Sequence, residues 1–138
     1  MAGYSTRALT EKLGIKQGTR VIALGAPAEY PDLLAPLPED VTIQKRLSSP
    51  ARFVHRFVRT RKELAAEFPR LAAALDDEGT LWISWPKISS GVETDLSENV
   101  VRELGLPLGL VDVKVCAVDQ TWSGLKFVRR LSNRSNKR

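Results

Sequence analysis

Few side chains in this sequence are able to do chemistry, and each stands nearly alone. His55 is the one histidine and Cys116 the one cysteine. A general base needs an orienting partner and access to substrate. His55 instead stands between Phe53 and Phe57 in a stretch with strand-like alternation, which points to a packed imidazole. Cys116 lies inside VKVCAV, where a thiol acts as a small apolar filler. Single copies of histidine and cysteine exclude the usual metal-ligand sets, and Asp76, Asp77 and Glu78 read as a solvated helix end. No nucleophile, base and orienter come together, so no catalytic residue and no metal are assigned, and the reading leans away from an enzyme.

Binding is the chemistry left to consider, and Gly25 is the first place for it. It follows the apolar run Val21 to Leu24, at a strand-to-helix turn. Nucleotide cofactors use such turns because glycines let the backbone approach the ligand and the helix start presents free amide hydrogens. In the spacing G-x-G-x-x-G, however, the later glycines fall on Pro27 and Tyr30. One lacks an amide hydrogen and the other fills the space. The acid expected about 20 residues on, to hold a ribose hydroxyl, is replaced by Gln44, Lys45 or Arg46. With two requirements failing together, no cofactor is expected in the usual pose, and the berth reads as closed by Pro27 and Tyr30. Lys45 and Arg46 would suit a small anionic ligand, or they are solvated charges at a strand end.

A second candidate combines Trp85 and Lys87, beyond the end of an apolar strand, with Asp119 and Trp122 in a C-terminal hairpin turn. In an open α/β sheet, ligands bind beyond the carboxyl ends of the strands. Tryptophan beside a lysine offers an aromatic platform with a cation, and an exposed Trp122 would mark a partner contact. The structural alternative has Trp82 and Trp85 packing on opposite sides of the sheet, with Trp122 pinning the turn. Gly25, Trp85, Lys87, Asp119 and Trp122 are therefore the candidate ligand-binding residues.

A length of 138 residues with 43% hydrophobic content fits one domain with an ordinary core. No apolar run approaches the roughly 20 residues of a membrane-spanning helix, and the start lacks a signal-peptide core. With a lone cysteine, these features make a reducing cytoplasm the expectation. The net charge of +5 belongs to the C-terminal end, where Arg129, Arg130, Arg134, Lys137 and Arg138 meet no acid. Without them sixteen basic residues face sixteen acidic ones. A second basic stretch runs from Lys45 to Lys62.

The elements that must position these residues follow from periodicity. Thr6 to Leu13 reads as a short helix closed by Gly14 and Ile15 in a Schellman-type cap. Strands are expected at Arg20 to Leu24, Val41 to Leu47, Arg52 to Val58, Thr80 to Trp85, Val111 to Val118 and Leu125 to Leu131. A two-turn helix falls around Tyr30 to Leu34. Thr60 and Glu63 form a capping box before Leu64, Phe68, Leu71 and Leu75, with a kink or restart expected at Pro69. Asp95 and Glu98 open a last helix, which Gly105 and Pro107 should stop. Residues 1–131 then form one α/β domain, and Ser132 to Arg138 should be a disordered basic tail.

Alternating strands and helices imply parallel strands with right-handed crossovers, and the final hairpin adds antiparallel pairing. The expected architecture is a three-layer, Rossmann-like, mostly parallel sheet of the class I methyltransferase type, one strand and helix short between the second and third strands. Four segments carry a further resemblance: RVIALGAP (20–27), LWISWPK (81–87), TDLSENVVRELGLPLGL (94–110) and VDVKVCAVDQTWSGLKF (111–127). On these the chain resembles the small uncharacterised bacterial proteins of the domain-of-unknown-function 3052 family. That resemblance implies a methyltransferase-like fold with no assigned activity, so it transfers no site residue. Three functions stay open. They are a non-catalytic ligand-binding or interaction domain, a transferase of the S-adenosylmethionine-dependent type with a non-standard cofactor site, and weak nucleic-acid binding through the basic tail.

Overall fold

The computed structural model describes residues 8–130, so the expected tail at Ser132 to Arg138 lies outside the described residues. A six-stranded sheet runs in the order β2-β1-β3-β4-β6-β5. Its strands are β1 (Arg20–Leu24), β2 (Thr42–Gln44), β3 (Ala51–Phe57), β4 (Leu75–Pro86), β5 (Leu110–Ala117) and β6 (Trp122–Arg129). The first four pair in parallel, while β6 is antiparallel to both β4 and β5. The helices are α1 (Leu9–Leu13), α2 (Tyr30–Leu34), α3 (Arg61–Ala74) and α4 (Glu98–Gly105). None of the described helices is long and apolar enough to cross a membrane.

Alternation along each strand divides the core into two layers. On one face Ile22, Val54, Leu81, Ile83, Trp85, Leu125 and Phe127 pack under Leu64, Phe68 and Leu71 of α3 and Val101 of α4. On the other, Val21, Ala23, Phe53, Phe57, Trp82 and Trp122 pack under Leu13 of α1 and Tyr30 and Leu34 of α2. The three-layer reading is thus the observed one. Trp82 and Trp85 face opposite sides, as their odd spacing requires.

Local chemistry sets the boundaries. Gly14 sits at φ 84°, and Ile15 N–H reaches back to the carbonyl of Thr10 at 2.9 Å, the Schellman closure of α1. Thr60 Oγ1 accepts from Glu63 N–H at 3.1 Å, a cap that contributes about 1 kcal/mol. Three expectations need correction, and one holds. Helix α3 runs unbroken through Pro69. The hydrogen bond that proline forfeits would have gone to Ala65, and both residues are exposed, so water can serve that carbonyl. Ser97 caps α4, its Oγ accepting from Val100 N–H at 3.3 Å, because Asp95 instead accepts from Arg61 N–H at 2.7 Å. As expected, α4 ends at Gly105, and Pro107 lies just beyond it. It opens a single 3₁₀ turn, Leu106–Leu108, and Gly109 at φ 83° ends it. Residues 76–79 form a bulge inside β4, since Ala51 pairs Leu75 and Phe53 pairs Thr80.

Between β2 and β3 only residues 45–50 intervene, with neither helix nor strand. A parallel crossover usually takes a dozen residues or more. This shortened return leaves β2 as an edge strand and exposes the ground beside β1, where the site lies.

Candidate functional site

The chain leaves β1 toward β2 on one side and returns to β3 on the other, so the carboxyl ends of β1 and β3 flank a topological switch point. Open α/β sheets commonly hold their ligands in that crevice. Here a side chain fills it. Arg56, one residue from the end of β3, is only 11% exposed. Its Nη2 donates to Glu63 Oε2 at 3.0 Å. Its Nε stands 2.9 Å from Glu67 Oε1, an ion-pair distance whose geometry falls short of a hydrogen bond. One cation answered by two carboxylates leaves no positive charge to offer an anionic ligand.

Gly25 is shaped by the same arrangement. Its φ is +67°, and a Cβ built there would stand 2.7 Å from Arg56 Nη1 and 2.8 Å from the Phe57 carbonyl oxygen. A left-handed conformation and two close neighbours both demand glycine. The residue makes room for protein atoms on the β3 side, not for a phosphate.

On the β2 side the ground is open. A cavity of about 320 Å³ is walled by the turn Gly25 to Ala28, by Tyr30 and Pro31, and by Ile43 and Lys45. This volume lies at the lower end of the range for small-molecule sites. Tyr30 does not fill the berth as the sequence suggests. It is 1% exposed, with its hydroxyl turned inward, 2.8 Å from His55 Nδ1. The ring forms a wall of the cavity, and Lys45 stands exposed at the rim.

Behind that wall runs a buried polar chain. His55 Nε2 stands 2.8 Å from Ser84 Oγ, and the imidazole stacks on Phe57 with ring centres 4.2 Å apart. Burial lowers the His55 pKa from 6.5 to about 3, so the ring is neutral, with one nitrogen donating and the other accepting. Burial likewise raises the Tyr30 phenol above its ordinary value. His55 and Ser84 are both wholly shielded from solvent, which makes this trio a satisfied core network without substrate access.

The remaining candidate residues are not gathered into one pocket. Trp85 is buried on the α3 and α4 face, whereas Trp122 is buried on the other, edge-on to Phe57 at 5.0 Å. Lys87 is half-buried and its backbone N–H donates to the Thr121 carbonyl at 2.7 Å. Asp119 Oδ1 accepts from the N–H groups of Thr121 and Trp122, both at 2.8 Å, which shapes the hairpin turn. Of the five candidate ligand-binding residues only Gly25 borders the cavity, joined there by Lys45, which the sequence offered for an anionic ligand. Arg56, Glu67 and Ile43 were missed. A signal for the first was present: a basic residue amid apolar strand positions, with Glu63 and Glu67 one helical turn apart just downstream.

This arrangement of strands, helices and cavity defines a class. The protein has the class I methyltransferase fold, a mostly parallel Rossmann-like sheet with an antiparallel C-terminal hairpin. No family profile matches the chain, and no curated protein matches it. Among solved structures, a putative type 11 methyltransferase from Sulfolobus solfataricus is 13% identical with a TM-score of 0.58, covering 93% of both chains. Magnesium protoporphyrin IX methyltransferase from Synechocystis PCC 6803, solved with bound SAM, is 12% identical with a TM-score of 0.57, over 88% of this chain and 74% of that one. Mitomycin 7-O-methyltransferase is 11% identical with a TM-score of 0.56, over 82% of this chain. The chain spans about half, 49%, of that enzyme's length. Likeness at these identities is a likeness of fold.

Proposed function

We propose that the protein is a small-molecule transferase of the S-adenosylmethionine-dependent type whose cofactor lies in a shifted position, in the cavity between the Gly25 to Ala28 turn and β2. One observation carries this reading: the cavity opens beside the first strand-to-helix turn of a methyltransferase fold, while Arg56 occupies the neighbouring crevice. A ligand entering at this turn is therefore directed toward β2. Ala26, Ala28 and Ile43 offer apolar contact to a nucleoside, and Lys45 borders the place of its ribose at the rim. Among the described residues, no carboxylate, imidazole or thiol lines the cavity. That suits methyl transfer, in which in-line positioning of the two reactants can supply much of the rate.

A second reading is favoured by Lys45 itself, which stands where ribose binding calls for a carboxylate. It is a ligand-binding domain without turnover that takes a small anionic ligand in the same cavity. Calorimetric titration separates the two. Under the first reading S-adenosylmethionine and S-adenosylhomocysteine bind, Ala28→Trp abolishes binding by filling the cavity, and Lys45→Glu preserves or strengthens it by restoring a ribose acceptor. Under the second, adenosine 2′-monophosphate binds instead and Lys45→Glu abolishes it. Absence of heat with all three ligands would defeat both.

A further inference from the structure

Away from the cavity, five lysines converge where α1 lies against the terminal hairpin. Lys114 and Lys126 are direct cross-strand partners on one face of β5 and β6. Like charges in that position repel each other and weaken the pair. Lys114 Nζ donates to the Lys12 carbonyl at 2.9 Å, and Lys12 Nζ donates to the Ala117 carbonyl at 3.1 Å, so α1 and β5 hold the two ammoniums together. Lys126 Nζ lies against Gly14, 4.0 Å from where a Cβ would stand. Lys16 adds its charge to Lys126, and Lys87 joins Lys12 and Lys114 around Cys116.

Lysines of this kind normally find a carboxylate. Four of the five are half-buried, Lys16 being the exposed one, yet among the described residues none forms an ion pair with Asp or Glu. Burial, followed by repulsion from Lys114 and Lys16, lowers the Lys126 pKa below its ordinary value. Residues 1–7 and 131–138 contain no Asp or Glu either, so no acidic side chain in those segments can neutralise the cluster. Partly desolvated like charges cost stability in isolation. They are accounted for if an external polyanion completes them.

We infer that the surface formed by Lys12, Lys16, Lys87, Lys114 and Lys126 binds the phosphodiester backbone of nucleic acid, without reading its sequence. Five ammoniums spread over a helix, a strand end and a hairpin exceed what one phosphate can neutralise. They match a chain of evenly spaced charges. Lysine supplies point charges and not the bidentate fork that arginine offers to guanine. The tryptophans of this face, Trp82 and Trp122, are buried and give no base a stacking surface. Both features argue for backbone contact alone. The fixed ammoniums of Lys12 and Lys114 favour discrete phosphates over the diffuse charge of a lipid surface.

The test is fluorescence anisotropy with a labelled mixed-sequence DNA duplex of about 20 base pairs, titrated between about 50 mM and about 200 mM salt, where each phosphate contact contributes about −0.9 to the log–log slope. Wild type should bind at low salt with a steep slope, equally well on an unrelated sequence. A K114Q/K126Q double variant should bind at least tenfold more weakly at low salt, with a slope shallower by about 2. Its thermal midpoint should rise, because the cross-strand repulsion is gone, which shows that lost binding is not lost folding. A comparison variant, R134Q/K137Q/R138Q, should change affinity less than the double variant. Three results would overturn the inference: unchanged duplex binding in the double variant, loss of binding in the comparison variant alone, or binding to phosphatidylserine vesicles with none to the duplex.

Discussion

The two sides of the Gly25 turn present opposite solutions to one problem. On the β3 side, Arg56 fills the switch-point crevice and satisfies its charge internally, with Glu63 Oε2 at 3.0 Å and Glu67 Oε1 at 2.9 Å. On the β2 side, the shortened return from β2 to β3 leaves about 320 Å³ open and a lysine at its rim. A ligand site needs both vacancy and unsatisfied binding capacity. The first side has neither, and the second has both. The fold supplies a location for a site, and the side chains decide which half of that location is usable.

Gly25 is where the comparison breaks most violently. Gly25→Val should cost about 2 to 4 kcal/mol in a denaturant titration, from the positive φ and the two close contacts. Adding Arg56→Ala should recover only part of that loss, because the Phe57 carbonyl stands 2.8 Å from the new Cβ and belongs to the backbone. Full recovery would mean that the guanidinium alone shapes the turn. Next in size is the wall behind the cavity. Tyr30→Phe removes the partner of His55 Nδ1 and should destabilise by about 1 to 3 kcal/mol, the penalty for an unsatisfied buried polar atom. Measured stability equal to wild type would show that this hydrogen bond carries no net weight.

The same network predicts a pH response. His55 is neutral in the folded protein, its pKa lowered from 6.5 to about 3. As pH falls below 6.5, the unfolded chain takes up a proton that the native state refuses. Stability from this group is therefore complete above the unfolded pKa and is lost as pH falls toward the folded one. Thermal midpoints of wild type and His55→Asn, followed from about pH 7 to about pH 4, should show the steeper fall in wild type. Parallel curves would mean that the imidazole is protonated in the native state. The smallest effect belongs to Arg56→Met. It keeps apolar bulk in the crevice while Glu63 and Glu67, with side chains 50% and 31% exposed, can turn to water. A change within about 1 kcal/mol is expected, as for other partly exposed ion pairs. A loss of several kcal/mol would show that the pair holds β3 to α3.

The architecture was largely legible because it rests on local pattern. Strand β1 reads from four consecutive apolar residues, and α3 from its Thr60 cap and the spacing of Leu64, Phe68 and Leu71. Where reading failed, a tertiary partner had intervened. Asp95 resembles a cap for α4, yet its carboxylate serves the start of α3, and Ser97 takes its place. Gly105 does end α4, but in right-handed backbone, and a Cβ there would stand 2.6 Å from Phe127, so its smallness serves packing. The site was half legible. Gly25 could be named from its position at the end of a strand. That Tyr30 would turn toward His55, or that Arg56 would cross to Gly25, depends on atoms brought together by folding over separations of 25 and 31 residues. No sequence spacing states those encounters.

The most direct test is a crystal structure of the protein soaked with S-adenosylhomocysteine, collected in parallel with calorimetry on Ala28→Trp and Arg56→Ala. The adenosyl group should lie against Ala26, Ile43 and Lys45, with affinity abolished by Ala28→Trp and unchanged by Arg56→Ala. An adenosyl group between the ends of β1 and β3, with Arg56 swung aside, would contradict the account.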